Sequence, residues 1–354
     1  MSIKYVALDV HQATTAATVR DQTGRILQRQ VLETTQAALL SFIRSLRRPV
    51  HVAFEEGTLA QWLYDLLEHR VAEVVVCDPR QNALLLSGSK NDRIDADKLS
   101  ELLRLGALRP VHHATGSVKP LREYVRGYEA LLEDSVRLML RIKAIFRGRA
   151  ISTAGERLYQ PAHRSTWLGQ LQREPAARER AESLFSQLDA VMELRERVRR
   201  SMITTAKQHE AYERIRSVPF IGPVRAAEIL AYMVTPHRFR TRRQLWAYSG
   251  LAVITHTSGD HRFESGRLVR RPTTATRGLN HNFHRVLKKV FKQAAFDASI
   301  HRGPLRSSFE RMLQNGIRSD MARLTLARKI AAIVLAVWKR GEDFDERRLT
   351  SAVA

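Results

Sequence analysis

The first 110 residues alternate between short apolar stretches and amphipathic stretches, and this order constrains the fold more than any other feature of the chain. The segments KYVALDV, TAATVRD and ILQRQVLE follow one another, with a turn at Gly24, which predicts three adjacent strands. Helical periodicity then appears at 35–46 and at 60–68, and each of these stretches precedes an apolar strand, VHVAFE or VAEVVVCD. With a helix after residue 90, the predicted order is β-β-β-α-β-α-β-α.

This order is that of the ribonuclease-H-like fold, a mixed sheet with acidic residues at the ends of its first and fourth strands and on a later helix. Other α/β folds share the pattern. In this chain Asp9 ends YVALD and Glu55 ends VHVAFE, and the carboxyl ends of parallel strands meet at one edge of a sheet. Asp92 and Asp95 are three residues apart in KNDRIDADKL, so both lie on one face of a helix.

Four carboxylates in this arrangement predict a divalent-metal site. Converging negative charges require a cation, and hard oxygen ligands suit Mg²⁺ or Mn²⁺, which bridge protein carboxylates to the phosphate oxygens of a substrate. The choice of ligands leaves alternatives open. Glu56 and Asp97 are close rivals of the chosen acids, and Glu55 is preferred because it ends the strand pattern. Asp92 could instead be the N-cap of the helix.

Composition excludes several classes of protein. A chain of 354 residues with 44% hydrophobic content is long enough for cores in at least two domains. The single cysteine, Cys77, excludes an intramolecular disulfide and a cysteine-cluster zinc site, and its apolar context predicts a buried strand residue. No apolar run approaches the roughly 18 residues of a membrane span, and the chain begins without a secretory-signal pattern. We therefore expect a cytoplasmic protein with no membrane partner, associated with the nucleoid when bound to DNA.

Positive charge is concentrated in one part of the chain. Residues 1–115 hold 14 Lys and Arg against 13 Asp and Glu, whereas the remaining 239 residues hold 45 against 23. An excess confined to one region is typical of a surface that binds a polyanion, so the sequence predicts DNA or RNA as a partner. Genomic base composition is the alternative reading, but it explains the preference for Arg over Lys better than it explains the asymmetry.

Two long helical patterns follow the acidic region. Apolar residues recur at spacings of three and four from 119 to about 149 and again from about 175 to 210, with a Gly- and Pro-containing polar stretch between them. The patterns predict an antiparallel helical hairpin with a coiled-coil-like stripe. At a rise of 1.5 Å per residue, 30 residues would span about 45 Å, the length of a protruding arm.

The last third opens with RIRSVPFIGPVRAAEILAYM, a pattern typical of a helix-hairpin-helix. Gly222 would let backbone approach closely, and amides at the start of the next helix can face a phosphate. The segment 245–278 has little periodicity and is predicted to be a polar, basic, accessible loop, followed by helices at 283–299 and 320–340. The candidate nucleic-acid-binding residues of this region are Gly222, Arg225, Arg242, Arg243, Arg270, Arg271 and Arg277.

The motifs ALDVH, AFEEGTLAQWLYDLL, VVVCDPRQN and SKNDRIDADKLSELLR resemble the consecutive motifs of the DEDD transposases of insertion-sequence one-ten type elements. The segments SVPFIGPVRAAEIL, LWAYSGLAVITHTSGD and TRGLN are similar to the second domain of that family. The resemblance covers most of the chain apart from the helical arm. It implies a RuvC-like DEDD domain at 1–115, a helical coiled-coil arm at 116–210 and a mostly α-helical transposase domain at 211–354.

The resemblance also implies residue roles. The DEDD set corresponds here to Asp9, Glu55, Asp92 and Asp95, and the serine nucleophile of the second domain corresponds to Ser258. Relatives show Ser-Gly or Ser-Thr-Gly-like forms where this chain reads Thr-Ser-Gly, so Thr257 could be the equivalent residue. The family further implies a homotetrameric synapse and a structured guide RNA, the bridge RNA, that selects target and donor DNA.

Two other functions fit the residues. A junction-resolving endonuclease would use the four carboxylates with two metal ions and water, and it would form no covalent intermediate. A non-catalytic nucleic-acid-binding protein with an inherited ribonuclease-H-like domain would tolerate Asp9→Asn without loss of activity. Physically, a serine hydroxyl is a weak nucleophile until its proton is withdrawn or the phosphate is made electrophilic. The recombinase hypothesis therefore predicts a composite site in which the carboxylates of one protomer face Ser258 of another.

Overall fold

The computed structural model describes residues 2–47, 49–78, 92–113, 116, 118–153, 156–256, 261–270, 276–280 and 282–349. The chain forms two compact units, residues 1–114 and residues 115–354. The first unit is a mixed α/β domain, and the second is mostly helical. Within these described ranges, no helix is both long and apolar enough to cross a membrane.

The first unit has the strand and helix order that the sequence predicts. Its elements are β1 (Lys4–Val10), β2 (Thr14–Arg20), β3 (Ile26–Glu33), α1 (Gln36–Ser45), β4 (Val50–Glu55), α2 (Ala60–Leu67), β5 (Glu73–Cys77) and α3 (Asp92–Arg104). The strands form one sheet in the order β3-β2-β1-β4-β5. β1 pairs antiparallel with β2 and parallel with β4, and β4 pairs parallel with β5.

Side chains of alternating strand positions build a core on each face of this sheet. Val6 and Leu8 of β1 pack in a cluster with α1 and α2, whereas Ala7 of β1 packs with Ala53 and with the buried leucines of α3. Cys77 lies on the α3 face, is completely buried and ends a strand, which confirms its predicted position. Odd-numbered residues of β1 and β4 therefore face α3.

The second unit contains nine α-helices and four short strands in the part that the structure describes. In chain order they are α4 (Val118–Arg147), α5 (Arg164–Gly169), α6 (Pro175–Lys207), α7 (Tyr212–Arg216), α8 (Pro223–Met233), α9 (Arg242–Tyr248), β6 (Val253–His256), β7 (His261–Glu264), β8 (Arg267–Arg270), β9 (Thr276–Leu279), α10 (Arg285–Ile300), α11 (Arg306–Gln314) and α12 (Ser319–Arg340). Short 3₁₀ turns lie at Glu156–Tyr159, Pro161–His163, Pro236–Arg238 and Glu346–Leu349. The helices predicted at 283–299 and 320–340 are confirmed.

The helices α4 and α6 pack against each other as an antiparallel hairpin. Leu121 near the start of α4 shares a core with Met202 near the end of α6, together with the helices that follow. At the opposite end, Phe146 of α4 packs with Phe185 of α6 in a separate cluster. The two long helices are thus confirmed, and their assignment as a coiled-coil arm stays a prediction, as does the division of the second unit at residue 210.

The segment 245–278 is not the unstructured loop that its lack of periodicity predicts. β6 pairs antiparallel with β9, and β7 pairs antiparallel with β8, which gives two separate two-stranded ribbons. Each of these strands has only four residues. Strands this short contain too few alternations to produce a period-two signal, and β6 in addition pairs with a strand that is distant in sequence.

Candidate active site

Asp9 and Glu55 lie side by side at the carboxyl edge of the sheet. β1 and β4 are parallel and in register up to Leu8 and Phe54, and the two acids are the next residue of each strand. Both acids occupy odd positions, so they lie on the face that packs against α3. Cys77 pairs with Glu55 on the adjacent strand, and burial, helped by the negative charge of Glu55, raises the pKa of its thiol to about 12.

The helix α3 runs antiparallel to β1, because its contacts follow β2 in the same direction and β2 is itself antiparallel to β1. Asp97 accepts a hydrogen bond from Thr18 at 2.9 Å, and Ser100, one turn later, accepts one from Arg20 at 2.8 Å. On β2, Thr18 is paired with Ala7 and Arg20 lies nearer the start of β1. The amino-terminal end of α3 therefore lies toward the carboxyl end of β1. The first turn of α3 is directed to the sheet edge that carries Asp9.

The first turn of α3 begins at Asp92 and contains Asp95. The Oδ1 atom of Asp95 is buried and has no hydrogen-bond partner in the described chain. A buried carboxylate oxygen without a donor is unfavourable, and a bound cation would relieve that cost. The side chain of Asp92 lies outside the described residues, and among the described side chains no three metal-ligating groups are close enough to hold an ion.

The side chains at this edge have the donor atoms that a divalent cation needs. Asp9, Glu55 and Asp95 offer only carboxylate oxygens, which is the chemistry that Mg²⁺ and Mn²⁺ prefer. Nearby, His11 contacts Asp9 at 3.3 Å. The sequence analysis did not include His11 among the candidate site residues. Its position two residues after Asp9 could have indicated that it lies beside this acid.

The two rival acids have protein partners. Asp97 accepts two hydrogen bonds from the Arg29 guanidinium, at 2.7 and 3.0 Å, besides the one from Thr18. Burial opposes ionisation of Asp97, but these hydrogen bonds outweigh it and lower its pKa. Glu56 contacts the buried ring of His113 at 2.8 Å. These contacts favour structural roles for both rivals, and the choice of Glu55 and Asp95 as ligands stays a prediction.

A cavity of about 380 Å³ opens at the same edge of the sheet. Its lining includes His11, Glu55 and the stretch 57–60 that leads into α2. The cavity is large enough for a phosphate group and its neighbours, and it places Glu55 at a surface that a substrate can reach. The carboxyl edge is therefore both acidic and concave.

In the second unit, Gly222 is the N-cap of α8 and is exposed. A Cβ atom at Gly222 would meet nothing within 4 Å, so open space lies beside the backbone where the helix begins. Arg225, in the first turn, is committed to protein contacts: it donates to the Phe220 carbonyl at 2.7 Å and pairs with Asp297 at 2.7 Å. Its assignment as a phosphate ligand stays a prediction, and these contacts weigh against it.

The other predicted basic residues are distributed between α9 and the ribbons. Arg242 and Arg243 are exposed at the start of α9, and the Arg242 guanidinium lies over the Trp246 ring at 5.6 Å. Arg270 ends β8 and Arg277 lies in β9, but nothing is described of their side chains. Three predicted residues, Thr257, Ser258 and Arg271, fall outside the described residues.

A buried charge cluster of the second unit had no sequence signal. Glu228 of α8 is only 2% exposed, and it lies 3.3 Å from the Lys289 ammonium, which also donates a hydrogen bond to Glu129 at 2.6 Å. Burial and a hydrogen bond with Glu129 raise the pKa of Glu228 to about 8, against the opposing charge of Lys289. Residues from α4, α8 and α10 form this cluster, so its members are too far apart in sequence to be recognised together.

Comparison with known proteins links these two regions to one class. A family model of DEDD type for IS110 elements, described as Transposase, matches residues 6–149, and a second model, Transposase IS116/IS110/IS902 family, matches residues 212–309. The transposase for insertion sequence element IS1111A of Coxiella burnetii (strain RSA 493 / Nine Mile phase I) is 22% identical over 348 residues, covering 97% of this chain and 91% of that protein. The first model spans all four candidate carboxylates, and the second spans Ser258.

Proposed function

Because this chain belongs to the transposases of IS110-type insertion sequences, we propose that it cleaves and rejoins DNA strands at a composite site. That site combines the carboxylates Asp9, Glu55, Asp92 and Asp95 with the hydroxyl of Ser258. As a transposase the chain acts on DNA, and its DEDD family suggests dependence on a divalent metal. The composite chemistry, the choice of metal and the guide RNA are parts of this proposal.

The observation that carries the proposal is the convergence of strand ends and a helix start in the first unit. Asp9 and Glu55 lie at the carboxyl ends of neighbouring parallel strands, and the antiparallel course of α3 supports a position of Asp92 and Asp95 near the same edge. The sheet order β3-β2-β1-β4-β5 supports a ribonuclease-H-like, RuvC-like fold for this unit. We propose that the four carboxylates hold Mg²⁺ or Mn²⁺, which when bound would supply positive charge to the scissile phosphate.

We propose that Ser258 and the carboxylates carry out the nucleophilic attack and the proton transfer. The Ser258 oxygen attacks the phosphorus, a serine-phosphate bond forms and the bond to one sugar oxygen breaks, so the strand is held on the protein until rejoining. The serine proton passes to a carboxylate of the acidic set, since a hydroxyl is weakly nucleophilic while it keeps its proton. We propose that the carboxylates and the serine come from different protomers of a tetramer.

Binding of nucleic acid is assigned to the basic second unit. The exposed Arg242 and Arg243 contact phosphates, and α7 with α8 acts as a helix-hairpin-helix whose open side at Gly222 admits the DNA backbone. A structured bridge RNA from the element selects the target and donor. Purification with the element's flanking DNA co-expressed, followed by sequencing of bound RNA, should recover one RNA that the element encodes, and the absence of such enrichment would contradict guidance by RNA.

The direct test of the mechanism is the trapping of a covalent protein-DNA adduct on denaturing gels. Ser258→Ala should abolish the adduct, and Ser307→Ala, which changes an exposed serine of α11, should retain it as a matched control. Thr257→Val separates the two hydroxyls, because its adduct persists if Ser258 is the nucleophile. Full strand cleavage by Ser258→Ala with no adduct from the wild type would establish the junction-resolving endonuclease instead.

The non-catalytic alternative is tested by Asp9→Asn in cells. A binding protein that inherited the fold would keep its cellular activity after this change. The transposase should lose excision and insertion of its element while it retains its fold, measured by circular dichroism, and its salt-dependent DNA binding.

A further inference from the structure

The strands β7 and β8 form a tight hairpin three residues after Ser258. Glu264 is paired with Arg267, so only Ser265 and Gly266 form the loop. Both have positive φ, 50° and 77°, which is the signature of the type I′ turn that matches the twist of the flanking strands. The hairpin is therefore a short ribbon closed by a tight two-residue turn.

The apolar side chains of this hairpin face solvent. Phe263 is 75% exposed, the highest value among the large apolar side chains of the described residues, and Leu268 is 60% exposed. The two are directly paired across the strands, so their side chains lie on one face of the ribbon next to each other. An adjacent pair of exposed large apolar residues on one face of a ribbon indicates a surface that is covered in a complex.

The charge around this pair indicates what covers it. The ten residues 261–270 contain three arginines and one glutamate, and Arg267 beside Leu268 is exposed. Such a surface attracts phosphates and repels a second copy of this basic chain. Two side chains also offer little area compared with the roughly 1,200 Å² of total surface that a stable protein interface buries.

We propose that Phe263 and Leu268 form a wedge that enters a base step of the DNA and unstacks it beside the phosphate that the serine attacks. A two-stranded ribbon fits a DNA groove, and inserted Phe or Leu side chains with flanking arginines are an established way of kinking a duplex. The wedge deepens the proposed function, since it rests on the assignment of this unit to DNA. It opens the strand locally so that the scissile phosphate becomes accessible.

The test uses the full chain with its co-purified nucleic acid, in a Ser258→Ala background that removes chemistry. The probe is a DNA duplex spanning the junction between the element end and its flank, with 2-aminopurine in place of one adenine at a time. Binding should raise 2-aminopurine fluorescence several-fold at one step near the junction, because unstacking relieves its quenching. Phe263→Ala should reduce this rise in fluorescence, and the double variant with Leu268→Ala should abolish it. Both variants should still bind the duplex.

Phe296→Ala is the matched control, since Phe296 is an exposed phenylalanine of α10 at 45% exposure, and it should keep the full rise.

A second experiment keeps Ser258 intact and measures adduct formation. A mismatch at the unstacked step should restore adduct formation to Phe263→Ala, because an unpaired base needs less energy to unstack. An unchanged rise in the double variant overturns the wedge. So does a loss of self-association in that variant, measured by light scattering, because the pair would then contact another copy. Adduct formation by the wild type is scored separately, so the wedge can fail while the proposed function stands.

Discussion

The carboxylates of the helical hairpin and those of the sheet edge have opposite surroundings. Along α4 and α6, acids meet arginines: Glu196 accepts from Arg199 one turn away, and Glu174 accepts from Arg149 across the hairpin. At the sheet edge, Asp9 and Glu55 lie beside each other and Asp95 keeps a buried oxygen without a hydrogen-bond donor. Acids paired with arginines stabilise a surface, whereas a buried carboxylate oxygen without a hydrogen-bond donor, such as that of Asp95, fits a bound cation.

Neutralising one acid of the sheet edge should have the largest effect on activity. Asp9→Asn keeps the side-chain shape but removes a charged metal ligand, so strand cleavage should fall by at least about 100-fold. Thermal stability should stay equal or rise, because repulsion between converging carboxylates is reduced. The measurement is cleavage of a labelled element-end duplex beside a thermal melt, with Glu56→Gln as the control acid that keeps activity. Normal cleavage by Asp9→Asn would contradict the comparison.

The buried Glu228 should affect stability in a pH-dependent way. Its pKa of about 8 lies above the unfolded value of 4.5, so between these values the folded state holds a proton that the unfolded state has released. Stability is therefore lost as pH rises through this window. Glu228→Gln removes the loss, and its unfolding free energy in urea should exceed that of the wild type by roughly 4 kcal/mol at pH 8.5.

The difference between Glu228→Gln and the wild type should shrink toward zero near pH 5, where Glu228 is protonated in the folded state. A gap that stays constant with pH would mean that the charge cluster with Lys289 holds both carboxylates ionised. The pH series therefore separates a buried acid that carries a proton from one that is stabilised as an ion pair.

Removing one exposed arginine of α9 should have a smaller effect. Arg243→Ala should weaken DNA binding about equally for all sequences and reduce the slope of log K against log salt by about one. Arg225→Ala is the comparison variant, because its guanidinium is engaged by Asp297 and it should lower stability more than the salt slope. Fluorescence anisotropy across a salt series measures both, and a flat salt dependence of the wild type would contradict the charge argument.

The smallest effect is expected on the helical hairpin. Arg199→Ala removes the exposed ion pair with Glu196, which lies one helical turn away. Exposed pairs of this kind contribute little to the free energy of unfolding. Unfolding and strand cleavage should both match the wild type within error. A large loss of cleavage would show that this surface contacts the nucleic acid, and the contrast between paired and converging acids would lose its value as a guide to function.

The sequence predicted the parts of the fold that local periodicity determines. The sheet strands and the long helices, including the acids at the ends of β1 and β4, agree with the structure because alternating or helical burial repeats over many residues. The choice between Asp95 and Asp97 could not be made in this way, since it depends on Arg29, 68 residues away from Asp97. The pairing of β6 with β9 and that of Arg225 with Asp297 were likewise hidden, because both are long-range. The β7–β8 hairpin is local, but its strands are too short to show alternation.

The most direct test of the account is to load the full chain with Fe²⁺ in place of the native divalent metal and to map the backbone cuts made by locally generated hydroxyl radicals. The account predicts cuts near residues 9, 55 and 92–95 together, all suppressed by excess Mg²⁺ and by Asp95→Asn but not by Glu56→Gln. Cuts confined to one of these segments, or unchanged in Asp95→Asn, would contradict a single metal site formed by the four acids.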